Sequence, residues 1–299
     1  MKTPIEDRVR RVRIPLWRLV VRRPDLLWTF IWAGGLLLLW SWLAVYLNTP
    51  ARSLLTSALF NTLLGASLVV CTALLLGWQT GVMLHALEKH GPRIVYLPLS
   101  FGSDLFRSIP QILGMLAGYV VLTALIRDET LRTPLLQLVA MSIVTALFLF
   151  LEVSDLVRSR IAHFENLEFV NALLVCGVSE RVIVNREILL KNSLVHIIQK
   201  GVALFGRAIF LLCSIDFIIS VGLGSDVSLS NFPVTLGNML ANLDSKQDIL
   251  AVGTVFFDSS ALGGLFVEHL QGVSVAFVIV FTLLCMYKIS NGILEKFKL

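Results

Sequence analysis

A chain of 299 residues with 56% hydrophobic and 15% charged residues has too little polar surface to cover itself in water. Its mean hydropathy of +0.82 makes lipid the solvent for most of it, which excludes an ordinary soluble enzyme or binding domain. The net charge of +5 does not point to nucleic acid, because the basic residues gather in alternate loops between apolar runs. Cys71, Cys176, Cys213 and Cys285 are scattered, with neither a metal-ligand spacing nor a disulfide framework.

In chain order, Met1–Asp25 sets eight cations around Val9, Val12, Ile14, Leu16 and Trp17. A basic stretch with an apolar stripe and a tryptophan belongs at an anionic lipid surface, so this arm is expected inside the cell. The arm is too charged, and Leu26–Leu47 too long, for a cleaved signal peptide, so the first span is expected to stay. Leu54–Leu84 reads as the second span. Arg107-Ser-Ile-Pro110 interrupts the next apolar run, because proline disfavours helix at the residue before it. The expectation there is a helix over Tyr96–Phe106 and a fresh span over Pro110–Ile126. Pro134–Val157, Asn192–Gly224 and Leu270–Leu294 complete six spans. Loops assigned to the inside hold most of the cations, and those outside hold only Arg52, Arg127, Arg132 and Lys246. The fold class expected is an all-α integral membrane protein with six transmembrane helices and both termini cytoplasmic.

Asp155–Ser193 is the most highly charged interruption in the second half of the chain. Phe164, Leu167, Val170 and Leu174 recur at three- and four-residue steps, which predicts one face of an amphipathic helix. Gly177 follows where a helix C′ residue would stand, and Ser179 and Glu180 suit a new helix start. Helix, glycine turn and helix are therefore expected outside the bilayer, between two spans.

That pattern resembles the cytoplasmic coupling loop of ABC-transporter permeases, in which a Glu-Ala-Ala run precedes a glycine. Glu168-Phe-Val-Asn-Ala172 stands for the run and Gly177 for the glycine. Val157-Arg158 and Ile188-Leu-Leu-Lys-Asn192 fall where dipeptide/oligopeptide/nickel permeases have an Arg-bearing helix end and a Leu-Pro-Asn step. The resemblance is to that family's second permease subunit and covers roughly Arg107 to the C-terminus. Gly222-Leu-Gly224 and Thr235-Leu-Gly237-Asn238-Met239-Leu240-Ala241 resemble the same family's external segment. The chain departs from the pattern at Lys191, where the family has proline, and at Gln271-Gly272, where it has Pro-Gly. It also lacks the family's external Gly-Thr-Asp…Gly-Arg-Asp segment before the second span, so the antimicrobial-peptide-uptake (Sap-like) branch fits better than a housekeeping dipeptide importer.

After the basic arm (1–25), the resemblance implies a transmembrane permease domain (26–299), with a coupling loop at 158–191 and an external re-entrant segment at 225–269. Phe164, Leu167, Glu168, Phe169, Ala172 and Gly177 would couple to the ATPase, and Gly224, Gly237, Asn238 and Met239 would form an outer gate. The partners implied are a homologous second permease, two ABC ATPase subunits that hold ATP and Mg, and a periplasmic substrate-binding protein, in a bacterial inner membrane. The chain itself would be non-catalytic and hold no cofactor. The function implied is transport of peptides or related small solutes by ATP-driven alternating access, with an exporter of peptides or small cations as an alternative.

One further set comes from the residues alone. His196, Lys200 and Arg207 share one face of the fifth span. A cation at mid-membrane costs about 2.5–3.5 kcal/mol, so such residues are candidates to line a translocation pathway or pair with an acid. Asp216 lies on the opposite face and is not their obvious partner. An ion-coupled secondary carrier using these charges is the reading from a different class. Chance pairs such as Glu165 and Glu168 lack the context of acid–base machinery.

Overall fold

A computed structural model describes residues 23–222, 233–241, 250–255, 257, 258, 260, 262–265 and 270–298. Among these the secondary structure is helical, with no strand. Five helices are long and apolar enough to cross a membrane, and a sixth if a bent pair is taken as one span, consistent with a multi-pass membrane protein. The basic arm lies almost wholly outside the described residues.

Helix α1 (Pro24–Tyr46) starts on a proline at its first turn, where a missing N–H costs nothing. Its surface is largely open, with Leu37 and Leu38 both exposed. It touches the bundle through α11 (Leu270–Lys298), where a Cβ on Gly35 would meet the Phe281 ring at 2.4 Å. Trp32 Nε1 donates to Thr282 Oγ1 at 3.2 Å, and the Lys288 ammonium sits 5.7 Å from the centre of the Trp28 ring.

Helix α2 (Thr49–His90) is a single rod of 42 residues. At about 1.5 Å per residue it is roughly 60 Å long, so it outruns a hydrocarbon core of about 30 Å. It packs lengthwise on α5 (Pro134–Glu165), and the sequence explains the closeness. Ala58, Thr62, Gly65, Ala66, Ala73, Gly77 and Gly81 lie buried on α2, a stripe of small residues at three- and four-residue steps. Small residues let two backbones approach where no hydrophobic force separates helix from lipid. A Cβ on Gly77 would stand 2.4 Å from Val153 Cβ and 2.6 Å from the Phe150 carbonyl oxygen. Ser142 Oγ donates across the seam to the Gly65 carbonyl at 3.2 Å.

The interruption at Arg107-Ser-Ile-Pro110 is a real break. Helices α3 (Arg93–Ser108) and α4 (Gln111–Arg127) meet there at 96°. Pro110 has no N–H to continue the ladder, and Ile109 takes extended angles, as a residue before proline prefers. Arg107 pins the corner by ion pairs to Asp155 on α5 and to Asp104 at 3.1 Å. Thr133 caps α5, its Oγ1 accepting from Leu136 N at 3.3 Å.

After α5 come α6 (Glu168–Val175), the short α7 (Glu180–Val182), a π-helical stretch (Ile183–Asn192) and α8 (Leu194–Gly222). The expected amphipathic helix through Phe164 and Leu174 is two elements. Phe164 lies in the last turn of α5, Asn166 caps its end, and Leu167 takes extended angles before α6 begins. The turn resets the helical phase, so Val170 and Leu173 face inward while Leu167 and Leu174 face out. Further on, α9 (Leu236–Ala241) returns against α8, and α10 (Leu262–Leu265) precedes α11.

Candidate functional site

Two places in the fold gather the candidate residues. The first lies at the end of the bundle that carries α6. Here the helix stops in a Schellman turn: Val178 N donates to the Leu173 carbonyl at 3.1 Å and Gly177 N to the Leu174 carbonyl at 2.9 Å. Gly177 holds φ of 82°, a left-handed conformation that an L-residue adopts only with strain. Leu173 and Val178, the flanking pair of such a turn, are both half-buried against the core. Phe169 packs edge-on against Phe164, ring centres 6.1 Å apart, and the Arg160 guanidinium lies 4.9 Å from the centre of the Phe164 ring.

The opposite surface of α6 is open. Glu168 and Ala172 are exposed, as are Leu167 and Leu174. Val175 is 87% exposed and Val182 is 43% exposed, so apolar side chains stand free on both sides of Gly177. The segment is braced from α2. Lys89 pairs with Glu165 at the end of α5 and, at 2.8 Å, with Glu180 beyond the turn. His90 Nε2 meets Glu180 at 3.0 Å, His85 Nε2 lies 3.4 Å from Glu165, and Arg158 Nη2 reaches Glu88 at 2.7 Å. A cavity of about 240 Å³ opens between His85, Lys89, Glu165, Val170, Asn171 and Leu174. Arg158 and Glu180 were legible as motif positions, whereas His85, Glu88, Lys89 and His90 were not, because charged residues near helix ends look like ordinary topology markers.

The Lys89 hydrogen bond, then that of His90, holds the Glu180 carboxyl below its ordinary range. A lowered carboxyl contributes its stabilisation in full above the unfolded value near 4.3 and loses it as pH falls through the folded value. Protection factors at Val182 and Ile183, whose amides both donate to the Ser179 carbonyl, are therefore expected to be equal at pH 7 and pH 5 and to fall as pH drops through the lowered Glu180 value. Protection that stays level down to pH 3 would show that the brace is not held by Glu180.

The second place lies where α5 meets α8. Lys200 Nζ reaches Glu152 Oε2 at 2.7 Å, and Arg207 Nη1 reaches Glu152 Oε1 of the same carboxylate. One acid on α5 thus serves two cations on one face of α8. Glu152 is the first charged residue in α5, 18 residues past Pro134 and so roughly 27 Å along the helix. A carboxylate at the end of a long apolar run, three residues before Asp155, is a signal that it needs a partner. His196 is not part of this group; it sits half-buried, near Arg160.

Asp216 is on another face of α8, fully enclosed. It accepts from Thr235 Oγ1 and from the Tyr119 hydroxyl. This knot ties α9 down. Thr62 Oγ1 accepts from Leu236 N at 3.0 Å and Asn61 Nδ2 donates to the Val234 carbonyl at 2.9 Å. A Cβ on Gly237 would stand 2.4 Å from the Cys213 carbonyl oxygen, so only glycine allows this approach. Asn238 Nδ2 reaches Ser220 Oγ at 3.4 Å, and Met239 is enclosed at 1% exposure. Gly224 lies outside the described residues. Among the described residues no group of three or more His, Cys, Asp or Glu side chains stands ready to hold a metal.

Comparison with family models and with curated proteins returned no match. The functional reading therefore rests on the residues and their arrangement.

Proposed function

We propose that this chain is a non-catalytic membrane subunit of an ABC transporter that moves peptides or related small solutes by ATP-driven alternating access. The observation that carries the proposal is the projecting α6 and its glycine turn, with Leu167, Leu174, Val175 and Val182 exposed beside the polar Glu168 and Asn171. Apolar side chains clustered on a structured element in water favour burial against a partner, with polar residues at the rim. A coupling element must also be stiff enough to transmit motion. The Schellman turn and the Lys89 and Arg158 braces supply stiffness, linking the loop to α2 and α5. In this reading the α6 end is cytoplasmic, both termini lie on that side, and α9 is the external segment. The partners are a homologous permease, two ATPase subunits that bind ATP and Mg, and a substrate-binding protein outside a bacterial inner membrane. Transport in the outward direction uses the same architecture.

The Glu152, Lys200 and Arg207 group favours a second reading, an ion-coupled carrier in which these charges form the pathway and no ATPase is needed. A mild-detergent pull-down of the tagged chain, with partners identified by mass, separates the two. The expected result is co-purification of ATPase polypeptides and a second permease, with the ATPases lost from Gly177→Pro. Proline cannot adopt φ of 82° and lacks the N–H that Gly177 donates to Leu174. A chain that purifies without an ATPase contradicts the proposal.

A further inference from the structure

We propose that Arg207, within the Glu152, Lys200 and Arg207 group, is a binding subsite for the carboxylate of a small anionic or zwitterionic solute. The inference rests on reading this face of α8 as part of a solute pathway. Two cations share one carboxylate, so the group carries a surplus of one positive charge. The neighbouring acid, Asp155, is engaged by Arg107, which Asp104 also shares. Lys200 and Glu152 are largely covered, with 25% and 21% of their side chains exposed, whereas 56% of the Arg207 side chain is open. Only Nη1 of its guanidinium reaches Glu152, which leaves N–H donors on the outward side. An open guanidinium among apolar side chains is costly against lipid, so its exposed side calls for a polar partner.

The guanidinium fork matches a carboxylate in two parallel hydrogen bonds. Its position is preset: Glu152 fixes one edge, and α8 is locked on either side by the enclosed Leu204 and Ala208. The chemistry selected is therefore a solute with a free carboxylate, such as a peptide with an unblocked C-terminus.

The test is direct binding to the full chain in phosphatidylcholine nanodiscs, so it needs no ATPase and is independent of the pull-down. The probes are tritiated N-acetyl-trialanine and its C-terminal amide, which differ by one charge. The acid is expected to bind at least about tenfold tighter, the scale of one charge-assisted hydrogen bond. The preference is expected to vanish in Arg207→Gln and to persist, reduced, in Arg207→Lys. Because the preference is read first in the unmodified chain, a variant that fails to fold does not rescue the idea. Equal binding of acid and amide, or no binding of either, overturns it, as does a preference that survives Arg207→Gln. Loss of acid binding when phosphatidylglycerol replaces part of the lipid would assign the subsite to a headgroup and overturn it as a solute site.

Discussion

Glu152→Ala is expected to lower the amount of folded protein in the membrane and to destabilise it by about 1–3 kcal/mol, the cost of leaving a covered charge without its partner. The alanine removes the single acid that Lys200 and Arg207 share, and Lys200 has little open surface through which to reach water. Breaking a covered ion group by deleting one partner costs more than the group ever contributed, because the remaining charges keep their desolvation. The same reasoning predicts recovery in the triple variant Glu152→Ala/Lys200→Met/Arg207→Met, which removes the charges along with their partner. Thermal unfolding in detergent followed by tryptophan fluorescence measures both. A Glu152→Ala protein as stable as wild type would mean that the cations are already satisfied elsewhere.

Gly77→Leu is expected to be the most damaging substitution along the α2 seam. The first added carbon already overlaps Val153 Cβ at 2.4 Å and the Phe150 carbonyl oxygen at 2.6 Å, and a backbone oxygen cannot rotate away. Relief requires α2 and α5 to separate over the stripe from Ala58 to Gly81, so the loss is expected to be about 3 kcal/mol or more. Gly34→Ala is the control. A Cβ there meets nothing within 4 Å, so the change is expected to be neutral or to stabilise α1 by up to about 1 kcal/mol through helix propensity. Expression and unfolding of the two variants side by side check the claim, and a benign Gly77→Leu would refute the packing of these helices.

Five of the expected spans were legible because an apolar run of membrane length has few alternatives, and Pro110 marked the break in the bent pair that stands where the third was expected. Gly177 was legible because an apolar run ending in glycine is the local signature of a C′ residue, and the φ of 82° agrees. Other features depend on what lies across the bundle. The periodicity through Phe164, Leu167, Val170 and Leu174 ran over a turn at Asn166, so a single helix was inferred where two meet at a changed phase. Lys200 and Arg207 stood out as costly cations, but nothing local paired them with a carboxylate some fifty positions earlier on α5. Asp216 and Thr235 likewise meet only because α9 folds back on α8. The π-helical stretch from Ile183 to Asn192 has no apparent signature in its residues.

The most direct measurement is site-specific photocrosslinking from position 175, where Val175 projects beside the glycine turn at 87% exposure. A benzophenone side chain placed there in cells is expected to link the chain to an ATP-hydrolysing polypeptide, with a yield that changes when ATP hydrolysis is trapped by vanadate. Crosslinks to lipid alone, or to a protein that binds no nucleotide, would contradict the account of α6 as the element that receives the work of ATP.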